Sequence, residues 1–250
     1  MVGRALARVM GEVRRGQDTV PSPNIWHWPE VYEVENRAQD ADGEIWRVLG
    51  HLVDWSGKDV VDVGCGDGFH LPRFAETARR VVGVEPHPPL VGRARARVAR
   101  LDTVAVLAGS AQRMPLPDAS VDVVHARTAY FFGPGCEPGL AEADRVLRPG
   151  GSLLIVDLDV RHRPYGDWMR ADLPRYDIVE VDEFFDRQGF ASRQVETVWR
   201  FADRADLAAV FRIEFSARVA ERALAEVVGL SVPVGYRVRH RRRPAGLLRP

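Results

Sequence analysis

A doubly wound α/β fold around a mostly parallel sheet is predicted by three observations. From residue 58 onward, short apolar runs alternate with helical stretches of ten or more residues. A glycine-rich turn, Gly64-Cys65-Gly66-Asp67-Gly68, joins the first run to a helix. Two late segments, 192–199 and 232–241, alternate in polarity as strands do. Together they predict seven strands, five of them parallel and the last two an antiparallel end pair, with a helical N-terminal arm and an inserted helix.

The elements follow in chain order. Residues 1–18 have the composition of an amphipathic helix or a loosely held arm. Thr19–Pro29 carries three prolines and two tryptophans, which argues against a regular helix because proline removes a donor and fixes φ. Glu30–Leu52 has apolar residues at helical spacing, from Val31 and Val34 to Val48 and Leu52, with Asp42-Gly43 as a possible break. Strands are expected at Asp59–Val63, Arg80–Glu85, Thr103–Leu107, Val121–Ala126 and Ser152–Asp157. The helices between them run from the glycine turn to Arg79, from His87 to Arg100 and over Pro138–Leu147. Val181–Gln188 is a short helix stopped by Gly189, and Asp203–Val228 a long amphipathic one, in one piece or two. Arg237–Arg243 is strongly basic, but Val234, Tyr236 and Val238 alternate with its arginines, as expected of an edge strand with solvated charges. The tail 242–250 is expected to fray. The chain thus divides into an arm with lid helices, 1–57, and a main domain, 58–250, with an accessory helical insertion at 203–228.

Composition narrows the function classes. Of the 250 residues, 46% are hydrophobic and 28% charged, as in ordinary globular domains. Thirty-five basic residues balance 35 acidic ones, so no global field favours nucleic acid or an anionic membrane surface. Cys65 and Cys136 are too few for a disulfide framework or a zinc cluster, and no metal site is expected. No apolar run approaches a membrane span and the N-terminus lacks a signal-like core, so the expectation is a cytoplasmic protein.

The glycine turn carries the first functional signal. Glycines after a buried strand let a ligand approach the backbone, and the following helix offers free N–H groups. Glu85, 21 positions beyond Gly64, ends the second strand, where a carboxylate can accept both hydroxyls of a ribose. A dinucleotide site would use G-x-G-x-x-G; the spacing here is G-x-G-x-G, followed by Phe69 and His70, which suits a ligand without a pyrophosphate better.

Four motifs in order make 58–157 resemble the class I S-adenosyl-L-methionine-dependent methyltransferases, in the small-molecule group similar to ubiquinone and menaquinone methyltransferases. They are Asp62–Gly68, Val82–Pro86, Gly109–Val124 and Arg145–Gly151. The resemblance implies a Rossmann-like fold, S-adenosyl-L-methionine as cofactor, and methyl transfer to oxygen, nitrogen or carbon of a small acceptor, with a place in secondary metabolism as one setting. It implies that Gly64 and Gly66 face the methionine part of the cofactor, with Cys65 between them. Asp62 would order the loop or meet the amino group through water. Glu85, beside Pro86, would hold the ribose. Ala111 would offer its backbone to adenine, and Ser110, where many relatives have Asp, would share the adenine amino group with Gln112. Ala126 and Arg127 would lie at the sulfonium and carboxylate end, with Tyr32 of the arm near that carboxylate.

His162, close to Asp157 and Asp159, and Tyr130 are candidate catalytic residues; solvation and simple packing are the competing readings. His125 is read first as a packed histidine rather than a base. The aromatics Trp26, Trp28 and Tyr32 are read as a lid. With Phe211, Ile213 and Phe215 they would cap an apolar or aromatic acceptor. The alternatives are a cofactor-binding regulatory protein, a nicotinamide-dependent oxidoreductase and a nucleic-acid methyltransferase. His125-Ala126-Arg127-Thr128 stands where a base methylase would carry an Asn-Pro-Pro-Tyr-type motif.

Overall fold

The computed structural model describes residues 19 and 21–246. The helix or arm expected over residues 1–18 lies outside them. The arm comprises α1 (Pro23–His27), α2 (Pro29–Ala38) and α3 (Glu44–Leu52). The alternating core follows as β1 (Asp59–Val63), α4 (Leu71–Ala75), β2 (Arg80–Glu85), α5 (Pro88–Val98), β3 (Val104–Ala108), β4 (Val121–Arg127), α6 (Glu137–Val146) and β5 (Leu147–Leu158). Next come α7 (Tyr165–Asp172), α8 (Ile178–Arg187), β6 (Ala191–Arg200), α9 (Arg204–Glu214), α10 (Ala217–Glu226) and β7 (Ser231–Arg242).

The seven strands form one sheet in the order β3-β2-β1-β4-β5-β7-β6. β1 to β5 are parallel, while β7 runs antiparallel to both β5 and β6. The predicted mixed sheet is therefore present. Alternate residues of β1 enter opposite cores. Val60 packs with Ile45, Leu49 and Phe74 on one face, and Val61 and Val63 with Leu140 and Phe184 on the other. All five β1 residues are buried, as a strand covered on both faces requires. β2 and β4 flank β1 on opposite sides, so the connection order reverses there and a crevice opens at the carboxyl ends.

Several local expectations are corrected. Thr19–Pro29 does contain a helix, α1, because Pro23 occupies its first turn, where the missing N–H costs nothing. Helix α4 ends at Ala75, short of Arg79. Glu30–Leu52 does break where Asp42-Gly43 allowed it, into two helices parted at Gly43, whose φ is +73°. Asp203–Val228 takes the two-piece form of its two readings, with Ser216 capping α10 through the Val219 N–H. Helix α7 was not foreseen. Its Tyr165 and Trp168 are fully buried against Phe211 and Phe215 of the accessory pair.

The largest correction concerns β7, which is interior to the sheet rather than at its edge; the edge strand is β6. Arg237 and Arg239, in its middle, are consequently buried rather than solvated. Arg239 is 1% exposed, donates to Asp182 at 3.1 Å, lies 3.9 Å from Asp157 and stacks over Phe185. Arg237 sits between Asp159 and Asp182, at 3.4 and 3.3 Å. Residues 243–246 lack regular structure, and the rest of the expected frayed tail lies outside the described residues.

Removing one partner of a buried ion pair strands the others. Arg239→Ala is expected to cost about 3–5 kcal/mol in urea unfolding. A loss below about 1 kcal/mol, the scale of an exposed pair, would show that the β7 arginines are solvated after all.

Candidate functional site

The glycine turn closes β1 onto the end of β2. The Val84 carbonyl accepts from the N–H groups of Gly64 (2.8 Å) and Cys65 (3.2 Å). Gly64 and Gly66 have φ of +69° and +58°, a region that side chains disfavour. A Cβ on Gly64 would also lie 2.6 Å from that of Ala129. Glu85 stands beside this turn. Its Oε2 accepts from the Gly66 N–H at 3.0 Å and its Oε1 from the His87 N–H at 2.9 Å. Each oxygen keeps further acceptor capacity. Burial pushes the Glu85 carboxyl up to about 7, against the pull of those two backbone bonds.

A cleft of about 210 Å³ opens above the turn. Of the sequence-predicted residues, Tyr32, Gly64, Cys65, Gly66, Glu85, Pro86, Ser110, Ala111, Arg127 and Tyr130 line it. The arm roofs one end: Trp26 stacks on His87 with ring centres 4.2 Å apart, and Ile25 approaches the turn at Gly66. At the other end Arg127 donates to the Gln39 Oε1 at 2.9 Å and lies over the Tyr236 ring. Its buried Nε meets no acceptor among the described residues.

Four predicted residues fall outside the lining. Asp62 lies beneath the turn, where its buried carboxylate is 2.7 Å from Nδ1 of His125, its neighbour in the β1–β4 register. His125 packs its ring against Phe74 and Trp46, in line with the packed-histidine reading. Ala126 is fully buried in the core on the other side of the sheet. Gln112 stands near the hydroxyl of Tyr130, which burial pushes up to about 12 and Gln112 draws back. His162 packs on Gly235, with its Nε2 3.6 Å from the exposed Glu196.

The sequence reading missed much of the outer wall. Asn24, Glu35, Gln39, His70, Asp157 and Glu214 line the cleft. Glu35 is 3% exposed and gives its Oε1 to Gln39 at 2.7 Å, while its Oε2 meets no donor among the described residues. Glu214 accepts from Tyr165 at 3.1 Å and from Asn24. Burial raises both carboxyls. The Glu214 charge raises Glu35 further, whereas hydrogen bonds from Tyr165, Glu35 and Asn24 draw Glu214 back, so Glu35 is the more strongly raised of the two. Burial also lifts Asp157 to about 7. The spacing of Glu35 and Gln39, one helical turn apart, was the available signal.

Comparison with known proteins follows this geometry. Residues 61–155 match a methyltransferase-domain family. A "probable S-adenosylmethionine-dependent methyltransferase" of Mycolicibacterium smegmatis is 39% identical over 100 residues, 40% of this chain and 38% of that protein. The 27-O-demethylrifamycin SV methyltransferase of Amycolatopsis mediterranei is 35% identical over 151 residues, 55% of this chain and 54% of that protein. The chain thus spans between two fifths and just over half of these relatives. The crystal structure of a SAM-dependent methyltransferase from Aquifex aeolicus superposes with a TM-score of 0.56 at 20% identity, over 84% of this chain and 97% of that one, which shows a shared fold.

The folded chain holds the Glu85 proton more tightly than the unfolded chain, whose carboxyl titrates near 4.5. The contribution of this group to stability therefore falls as pH rises from about 4.5 to about 7 and is level above. A carbon-13 carboxyl titration, assigned by comparison with Glu85→Gln, is expected to show a midpoint near 7. A midpoint near 4.5 would mean that solvent reaches this carboxyl.

Proposed function

We propose, from the match of residues 61–155 to a methyltransferase-domain family together with the sheet order and the cleft, that this protein binds S-adenosyl-L-methionine in the cleft and transfers its methyl group to a small, largely aromatic acceptor. The observation that carries the reading is Glu85. It is a buried carboxylate at a strand end, fixed by the glycine turn and still able to accept two hydroxyls.

The residues present fit that cofactor. Glu85 has the capacity for a ribose diol. Ser110 and Ala111 stand at the same end of the chain's β3 edge and line the cleft, as an adenine contact needs. The buried Arg127 Nε lacks an acceptor and suits the methionine carboxylate. Tyr32 and Gln39 flank that end. Asp62 serves by holding His125 beneath the turn rather than by touching ligand.

The bound cofactor would supply an electrophilic methyl group. What the chain contributes is alignment and exclusion of water. The arm closes the cleft from above, and Phe132, Met169, Tyr176, Phe215 and Tyr236 give its outer part apolar and aromatic walls. Tyr130, with its hydroxyl held near 12, can donate a hydrogen bond there but is a poor base at neutral pH. The same reading places the protein in the cytoplasm, where the buried, unpaired Cys65 and Cys136 remain thiols. Among the described residues no helix is long and apolar enough to cross a membrane.

Calorimetric titration with S-adenosylhomocysteine tests the reading. Glu85→Ala is expected to weaken binding about ten-fold or more, the scale of lost hydrogen bonds to a charged group. Wild-type affinity is expected to rise between pH 6 and pH 8, because hydroxyl donors favour the ionised carboxylate, which ordinarily forms only above about 7 here. Equal affinity in variant and wild type, or a flat pH profile, would remove the basis for the assignment.

A further inference from the structure

Two buried acceptors in the outer cleft lack a donor, and the Glu214 carboxyl beside them has no ion-pair partner among the described residues. The Glu35 Oε2 and the Asn24 Oδ1 are buried and meet no donor among the described residues. Glu214, which accepts from Asn24 and whose charge acts on Glu35, ties the two together. All three residues line the cleft. The nearby cation, Arg127, donates to Gln39 and lies over the Tyr236 ring, and its free Nε is the group assigned above to the methionine carboxylate. A hydroxyl acceptor offers one donor and could satisfy one of these oxygens. An ammonium offers three donors and the compensating charge. Tyr32, Phe215 and Tyr236 line the same cleft, and aromatic faces attract a cation.

From this arrangement we infer that Glu35, Asn24 and Glu214 form the recognition site for the amino group of the methyl acceptor, which is therefore a primary amine carried on an apolar or aromatic body. The inference rests on the methyltransferase reading above. Glu35 lies on α2 and Glu214 on α9, both outside the family-matched segment 61–155, whereas Gly64, Glu85 and Ala111 lie inside it. The pair thus belongs to the elements that can differ between proteins sharing one cofactor core.

The chemistry balances. The amine arrives as an ammonium and must lose a proton before its nitrogen can attack. One N–H bond breaks and its proton passes to a carboxylate of the Glu35–Glu214 pair, which the charge of the ammonium itself favours in the ionised form. The lone pair left on nitrogen forms the new N–C bond as the S–C bond breaks and its electrons stay on sulfur. The methylated nitrogen takes up the positive charge that sulfur gives up.

The test compares 2-phenylethylamine with 2-phenylethanol as calorimetric probes, each with and without S-adenosylhomocysteine. The amine is expected to bind about ten-fold or more tightly than the alcohol. Glu214→Gln is expected to abolish that preference while leaving S-adenosylhomocysteine affinity within about two-fold. Glu35→Gln, which removes the other carboxylate of the coupled pair, provides a second variant with the same expectation should Glu214→Gln fail to fold. Equal binding of the two probes, no binding of either, or a preference that survives both substitutions would overturn the inference. A parallel ten-fold loss of S-adenosylhomocysteine affinity in both variants would also overturn it, by assigning the pair to the cofactor. Failure of the wild type to bind S-adenosylhomocysteine would count against the methyltransferase reading instead, and the probe comparison without it would still decide the amine site.

Discussion

The tie between the first glycine turn and the end of the second strand is the constraint on which the site depends. Val84 accepts from Gly64 and Cys65, and Glu85 accepts from Gly66. These bonds place a carboxylate against a turn whose positive φ angles only glycine adopts readily. The tie is possible because β1 and β2 are adjacent and parallel, so both end at the same edge of the sheet. Burial raises the cost of ionising Glu85, and the two backbone N–H groups offset part of that cost. A carboxylate held in this way is oriented before any ligand arrives and is ready to exchange a proton for ligand donors.

Around that tie the structure is layered by origin. The family-matched segment supplies the turn, Glu85 and the cleft-lining Ser110 and Ala111. The arm and the accessory helices supply the roof and the outer wall. Salt links fasten the arm to the core: Arg97 of α5 bridges Glu33 of α2 and Asp67 of the turn, at 2.5 and 2.7 Å. The pocket between arm and accessory helices is therefore built on the same turn that orders Glu85. Phe211 and Ile213 pack into the core, and Phe215 is left to face the cleft.

The alternating core was legible in the sequence because its signals are local. Apolar runs, glycine turns and the acidic strand end at Glu85 each follow from a few neighbouring residues. The interior position of β7 was not legible, since its arginines are matched by Asp182 on α8, far away in sequence. Valine and tyrosine alternation marked the strand, while its second neighbour and the burial of Arg237 and Arg239 that follows from it were missing. Helix α7 was hidden for a similar reason: Trp168 and Tyr165 are buried by residues of α9 that lie about forty positions on. In the site, Glu85 and Arg127 could be placed from motif position. Glu35 and Glu214 could not, because their meaning arises only when two accessory helices meet above the cleft. Asp62 was read with two roles, and its position opposite His125 in the parallel register supports the loop-ordering one.

The central claim is that Glu85 and Arg127 mark the two ends of one cofactor. A crystal structure of the protein with S-adenosylhomocysteine tests it most directly. The account predicts both ribose hydroxyls within hydrogen-bond distance of the Glu85 carboxylate and the methionine carboxylate against the Arg127 Nε, with Glu35 and Glu214 facing the space beyond the sulfur. A nucleoside bound elsewhere, or one in the cleft whose ribose turns away from Glu85, would contradict it.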